Sequence, residues 1–182
     1  MDVGLFRKLN AIGMLAVCGV LAMALYSQFA QSELPCPLCI LQRVATVAVL
    51  CGLMLNVVKG PKPDHYSIMI IGAFFGGAVS LRQIALHIVP GTGSYGAPFL
   101  GMHYYTWAFI VFALVILGTS IVAAYSTQYH KQKFIPFREQ SGICKVAIVL
   151  SIGLVAMNVV VTFAECGPLL CPDDPTEYWL FQ

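Results

Sequence analysis

Pro37-Leu-Cys-Ile-Leu-Gln-Arg-Val-Ala-Thr-Val-Ala-Val-Leu-Cys-Gly-Leu-Met-Leu-Asn-Val-Val58 decides the fold: its 22 residues hold a single charge, Arg43, and no proline after the first position. At 1.5 Å per residue such a run makes a helix of roughly 33 Å, enough to cross a hydrocarbon core of about 30 Å. Four further runs share this character, at about Leu9–Phe29, Ser67–Val89, Tyr104–Tyr125 and Cys144–Ala164. Within lipid each must be helical, because every backbone polar group needs a partner inside its own segment. The whole chain agrees: 182 residues, 59% hydrophobic and 10% charged, against about a quarter charged in an ordinary soluble domain. The expected fold class is therefore an all-α integral membrane protein. Its five transmembrane helices form one membrane domain over residues 1–182, with an outer tail from residue 165. The first run exceeds a signal-peptide core and no A-x-A pattern follows it, so it reads as a retained helix. A net charge of +2 gives no ground for nucleic-acid binding.

Loop charges set the expected orientation. Arg7, Lys8, Lys59, Lys62, Lys131, Lys133, Arg138 and Lys145 fall on one side, eight of the ten basic residues. The opposite segments, about 30–36, 90–103 and 165–182, hold no Lys or Arg but carry Glu33, Glu165, Asp173, Asp174 and Glu177. The positive-inside rule then puts the N-terminus in the cytoplasm and the C-terminus outside, in the periplasm of a bacterial inner membrane. Tyr104, Tyr105 and Trp107 at one end of the fourth span, with Tyr125 and Tyr129 at the other, suit the two interfaces. Gly72 and Gly76 form a G-x-x-x-G surface for close helix packing. For Tyr178–Phe181 two fates stand open, a fold back onto the interface or a disordered tail.

This topology sorts seven cysteines into two groups. Cys18, Cys51 and Cys144 lie within or near spans and read as small packing residues. Cys36/Cys39 and Cys166/Cys171 lie at the outer face as two close pairs, where an oxidising compartment favours disulfides. Pro35 and Pro37 break the chain before the second span, and Pro37 fits its first helical position. Cys36 then sits near the N-cap, where free N–H groups and the helix dipole favour a thiolate, the species active in disulfide exchange. The alternative, a static staple, is weakened because so short a loop restrains little of the unfolded chain. Cys166-Gly-Pro-Leu-Leu-Cys171 lies just past the fifth span and reads either as a loop presenting a disulfide to a soluble partner or as a staple. A zinc site built from both pairs is a third reading.

Beneath the first pair lies a polar layer. Cys39 and Arg43 are four residues apart and share a helix face. Arg43 lies about 9 Å and Arg82 about 10 Å below the outer interface by helical rise, and Asn158 reaches a similar level, with Gln42 and Gln83 close by. A charge at the bilayer centre costs about 2.5–3.5 kcal/mol, less near the surface, so each arginine needs an acceptor. Each either snorkels to lipid phosphate or meets an uncharged ligand with acceptor oxygens in an apolar pocket. A quinone fits the second description and can take two electrons from a dithiol. His87, nearer the water, is either a proton relay or a plain interfacial histidine. Gly91-Thr-Gly93-Ser-Tyr-Gly96 matches G-x-G-x-x-G but has no strand before it, so it reads as a turn-rich loop rather than a dinucleotide site.

Cys36-Pro-Leu-Cys39-Ile-Leu-Gln-Arg43 resembles the DsbB family of bacterial membrane enzymes, and so do Arg82-Gln83 and the Tyr105-Thr106-Trp107 start of the fourth span. The resemblance runs over roughly residues 5–126. It implies disulfide formation at the expense of ubiquinone or menaquinone, with Cys36/Cys39 exchanging electrons with the quinone and Arg43 supporting it. It also implies a second outer pair that oxidises a periplasmic thioredoxin-fold thiol oxidase, DsbA-like. Family members usually have four spans and carry that pair between the third and fourth. Here residues 90–103 contain no cysteine, and a fifth span ends in Cys166/Cys171.

The leading expectation is a protein-dithiol:quinone oxidoreductase with Cys36, Cys39, Cys166 and Cys171 as catalytic residues, Arg43, Arg82, His87 and Asn158 at the quinone, and no metal. Two alternatives stand beside it. One is a vitamin-K-epoxide-reductase-like enzyme, whose quinone-side C-x-x-C usually lies in a late helix. The other is a non-enzymatic membrane protein holding zinc or copper on its outer cysteines.

Overall fold

The computed structural model describes residues 3–89, 91–96, 98–130, 133–168, 171–173 and 175–181. Lys131 and Asp174, counted above among the loop charges, lie outside the described residues, as do Leu169 and Leu170 between the last two cysteines. Five long helices carry the chain: α1 (Val3–Ala30), α2 (Pro37–Lys59), α3 (Pro63–His87), α4 (Tyr104–Ala123) and α5 (Gly142–Cys166). Each is long and apolar enough to cross a membrane, and the protein is a multi-pass membrane protein. Among the described residues the only β-type pairing is an isolated bridge between Phe99 and Met102.

Helix ends follow local chemistry. Pro37 opens α2 and Pro63 opens α3, a place where the missing N–H costs nothing. For α3 this start lies four residues before the expected Ser67 and takes Asp64 into the first turn, where a carboxylate suits the helix dipole. Gly60, at φ 93°, ends α2, and Gly167, at φ 61°, ends α5. The expected fifth span stops at Ala164; the helix instead carries Glu165 and Cys166 in its final turn. Cys166 is thus a helical residue and only Cys171 belongs to the following segment.

Helices neighbouring in sequence pack together from α1 to α4, and α5 lies against α1 and touches α2. The expected Gly72/Gly76 surface does serve close packing, on two sides of α3. An added Cβ at Gly72 would sit 2.9 Å from the Ala48 Cβ of α2, and one at Gly76 would enter the Phe112 ring of α4. By contrast α1 and α4 face each other across two cavities, both lined by Val20 and Val111, which form a groove along the bundle.

At the end bearing the basic loops, polar side chains are buried rather than solvated. Asn56 donates to Asn10 Oδ1 at 2.9 Å, Asn10 donates to the Tyr66 hydroxyl at 3.1 Å, and that hydroxyl donates to Gln128 Oε1 at 2.7 Å. Arg7 donates to the carbonyls of Val57 at 2.5 Å and Val58 at 3.1 Å, and also to the Lys133 carbonyl. It thereby satisfies carbonyls that the end of α2 leaves without helical partners. Cys18 and Cys144 sit in the apolar core, and Cys51 is exposed on the outside of α2.

Candidate redox site at the cysteine end of the bundle

Extended backbone at Cys36 and the proline after it place both sulfurs of the C-x-x-C unit at the start of α2. Cys36 is the N-cap, and its Sγ accepts from the Cys39 N–H at 3.2 Å. Gln83 of α3 donates from one nitrogen to both sulfurs, at 3.3 Å to Cys36 and 3.5 Å to Cys39. Its amide cannot turn freely, because Gln42 donates to Gln83 Oε1 at 2.8 Å. One carboxamide, oriented by a second, therefore faces the whole pair.

The N-cap alone predicts an easily ionised Cys36, and the surroundings reverse this. Hydrogen bonding to the Cys39 thiol, then burial, push the Cys36 thiol well above its ordinary range, against the smaller pull of the Cys39 and Leu38 N–H groups. Both cysteines are free thiols, whereas Cys166 and Cys171 form a disulfide.

Arg43 lies one turn below Cys39 and is 7% exposed. It donates to Gln28 Oε1 at 2.7 Å, Asn158 Oδ1 at 3.3 Å and the Ala24 carbonyl at 3.0 Å. The expectation that only a ligand or lipid can satisfy it is corrected by these acceptors from α1 and α5. Asn158 and Arg43 are brought together as the sequence suggested. Arg82 is not: it is exposed on α3 and does not line the cavity. Successive helical residues are about 100° apart, so turning Gln83 inward turns Arg82 out. His87 is half-buried, contacts the Gly93 carbonyl at 3.3 Å, and stacks on Tyr105 at 5.5 Å between centroids. It reaches the site only through that ring, which also stacks on His103 at 5.3 Å.

Cys39, Arg43, Gln83 and Tyr105 share the wall of a cavity of about 260 Å³ between α1 and α4. The segment between α3 and α4 covers its end. Tyr95 donates to the Leu34 carbonyl at 2.5 Å and Trp107 to the Phe99 carbonyl at 2.9 Å. The G-x-G-x-x-G match falls here, and its glycines take φ 93°, 74° and 73°, as turns require.

Two contributors had weak sequence signals. Glu165, read above as an outer-segment residue, is 1% exposed and accepts from Gln28 at 3.3 Å. Gln28 also donates to the Tyr178 hydroxyl at 3.2 Å. The tail folds back, with Trp179 against Phe163 at 6.3 Å and so close to Gly167 that a Cβ there would lie 2.6 Å from the indole. A polar residue one position before the outer end of the first span, and a carboxylate within one residue of the last span's end, were the signals for Gln28 and Glu165. Among the described residues no group of three or more His, Cys, Asp and Glu is arranged to hold a metal ion.

Helices able to cross a membrane, carrying a free thiol pair at a helix start over a buried arginine and an apolar cavity, define a class: membrane-embedded thiol chemistry. The DsbB family model, disulfide bond formation protein DsbB, matches residues 6–95. Disulfide bond formation protein B of Xanthomonas euvesicatoria pv. vesicatoria (strain 85-10) is 33% identical over 121 residues, covering 63% of this chain and 70% of that protein. The protein of the same name from Aromatoleum aromaticum is 36% identical over 84 residues, 43% of this chain and 51% of the relative. That of Chromobacterium violaceum is 37% identical over 79 residues, with shares of 41% and 48%. No solved structure matches. The chain belongs to the DsbB family, and it is a membrane protein of disulfide-bond formation.

Proposed function

We propose that the protein is a protein-dithiol:quinone oxidoreductase of a bacterial inner membrane. The observation that carries this reading is that Gln83 addresses both sulfurs while Cys39 and Arg43 stand on the wall of one apolar cavity. The cavity suits a planar ring with polar oxygens, since Arg43 supplies donors and Tyr105 an aromatic face. Arg43, Gln83 and Asn158 would hold or support such a ring, which when bound accepts two electrons and two protons.

The chain's own part is disulfide exchange. A reduced thioredoxin-fold partner attacks the Cys166–Cys171 disulfide through one thiolate, forming a mixed disulfide. The partner's second thiolate resolves it, so the partner leaves oxidised and Cys166 and Cys171 become thiols. These two thiols reduce the Cys36–Cys39 disulfide in the same manner, regenerating their own bond. Cys36 and Cys39 then give up two electrons and two protons in the cavity and close again. Gln83 holds both sulfurs in place, and exclusion of water from the apolar wall protects the exchange. The surplus of basic residues at the opposite end, Arg7, Lys8, Lys59 and Lys62 among them, supports a periplasmic Cys36 end.

Quinone reduction by the detergent-purified protein, supplied with a reduced thioredoxin-fold dithiol protein, tests the reading. Turnover is expected in wild type and lost in Cys36→Ser and Cys166→Ser, while Arg43→Ala requires more quinone. Persistence of turnover in Cys36→Ser would overturn the mechanism. Full turnover in Cys166→Ser would confine the chemistry to the first pair and leave Cys166–Cys171 a staple.

A further inference from the structure

Arg43 brings a full positive charge into the bundle, and the neutral groups around it do not cancel that charge. An unpaired buried charge is strongly destabilising. Its hydrogen bonds nevertheless lead to a carboxylate. Arg43 Nη1 donates to Gln28 Oε1, and Gln28 Nε2 donates to Glu165 Oε2. Gln28 and Glu165 are 2% and 1% exposed. The second carboxylate oxygen, Oε1, is buried with no hydrogen-bond partner among the described residues. A buried carboxylate with one bare oxygen is unfavourable by itself, and the positive charge at the other end of the Gln28 bridge is the group that offsets it.

We infer that Glu165 is the counter-charge of Arg43, coupled to it through the Gln28 carboxamide, so that the fifth helix neutralises the redox cavity. This rests on reading the cavity as the place where electrons leave the cysteines. Glu165 acts as a positioning residue: it touches neither sulfur nor the cavity wall. Glu33 is the rival acid, since it lines the cavity. However, it accepts from Ser27 at 2.8 Å, whereas the arginine donates to Gln28, Asn158 and Ala24. With the cavity near neutral overall, an uncharged ring enters and leaves without an ionic hold. Removing the carboxylate leaves a net positive site that retains any anion formed during turnover.

Two measurements on the full-length protein in detergent test this. The first is a thermal-unfolding cycle of Arg43→Met, Glu165→Gln and the double variant. Each single change should lower Tm, and the double should fall no further than the worse single, because coupled partners are not additive. Additive shifts, or non-additivity with Glu33→Gln in place of Glu165→Gln, would overturn the pairing.

The second measurement is turnover with a short-chain ubiquinone analogue. Glu165→Gln should lower kcat about tenfold with a smaller change in KM, a loss of about 1.4 kcal/mol in transition-state stabilisation. The exchange Gln28→Glu with Glu165→Gln moves the carboxylate one step nearer the arginine, keeps the pairings, with residue 165 and Tyr178 now donating to residue 28, and should restore kcat to within about threefold. A merely structural Glu165 predicts no such rescue, and failure of the exchange variant to exceed Glu165→Gln would sink the proposal. Should Glu165→Gln not fold, folding of the exchange variant supports the pairing and its failure to fold counts against it. A non-additive cycle in a wild type that reduces no quinone would keep the pairing and remove the redox reading instead.

Discussion

Gln83 is the side chain on which the thiol pair depends, because one nitrogen donates to both sulfurs and Gln42 keeps it turned that way. Gln83→Leu keeps the volume and removes the donor. It should lower quinone turnover on the order of tenfold, the size of one lost hydrogen bond of about 1.5 kcal/mol, and lower Tm as well, because buried Gln42 loses its acceptor. Steady-state kinetics alongside a melt would check this, and unaltered kcat would exclude the role. Cys36 gives a second prediction. Its thiol is held above its ordinary range, so the folded state keeps a proton that the unfolded chain releases from about pH 8.5. That stability is fully present below this pH and is lost as pH rises toward the folded value. Reduced protein should therefore lose Tm between pH 8 and 10 more steeply than the Cys36→Ser variant. The C-x-x-C unit and Arg43 were legible in the sequence because prolines and a lone charge stand out in an apolar run. That Gln83 faces in and Arg82 out was not, since a helix apolar on every side gives no period from which to read the inner face.

Helices themselves were legible as runs of apolar residues, because lipid permits few alternatives to a continuous helix. Their ends were read less well. The apolar run stops at Ala164, yet the backbone stays helical through Cys166 until Gly167 turns it. Glu165 could continue the helix because Gln28 receives its carboxylate indoors. Only tertiary contact supplies that partner. Asn10 and Asn56 were likewise silent in the sequence, and they join α1 to α2. Among these joints Arg7 is the one that closes a helix end, donating to two carbonyls of α2 and one of the later loop. Arg7→Met should destabilise the protein by about 2–3 kcal/mol, since hydrogen bonds from a charged donor are worth about 1.5–3. Denaturation in mild detergent with increasing sodium dodecyl sulfate would measure it; a shift indistinguishable from that of an exposed lysine substitution would refute it.

Across the whole molecule, α1 is the shared wall. It meets α2 and α5 closely and faces α4 across the groove. Gln28 on α1 touches Arg43 of α2 on one side and Glu165 of α5 on the other. The proposed orientation places Cys166 and Cys171 on the outer surface of the cell membrane. After reduction, a membrane-impermeant maleimide should label them in intact spheroplasts, whereas a cysteine introduced as Lys59→Cys should react only after lysis. Labelling of Lys59→Cys, but not of Cys166 and Cys171, from outside would reverse the topology. The five spans were legible from hydropathy; the fifth helix's partner was not, because nothing in an apolar run says which neighbour it will cover.

Under the proposed function, the groove between α1 and α4 makes the bilayer itself the doorway to the cavity, and a quinone would arrive by travel in two dimensions. The relevant concentration is then a number per lipid rather than a number per litre. Diluting proteoliposomes in buffer, with the reduced partner held saturating, should leave turnover per protein unchanged. Fusing the same vesicles with quinone-free lipid should slow it in proportion to the added area. The protein would in that way sense how crowded the membrane is with electron acceptors, whatever the volume of the compartment beside it.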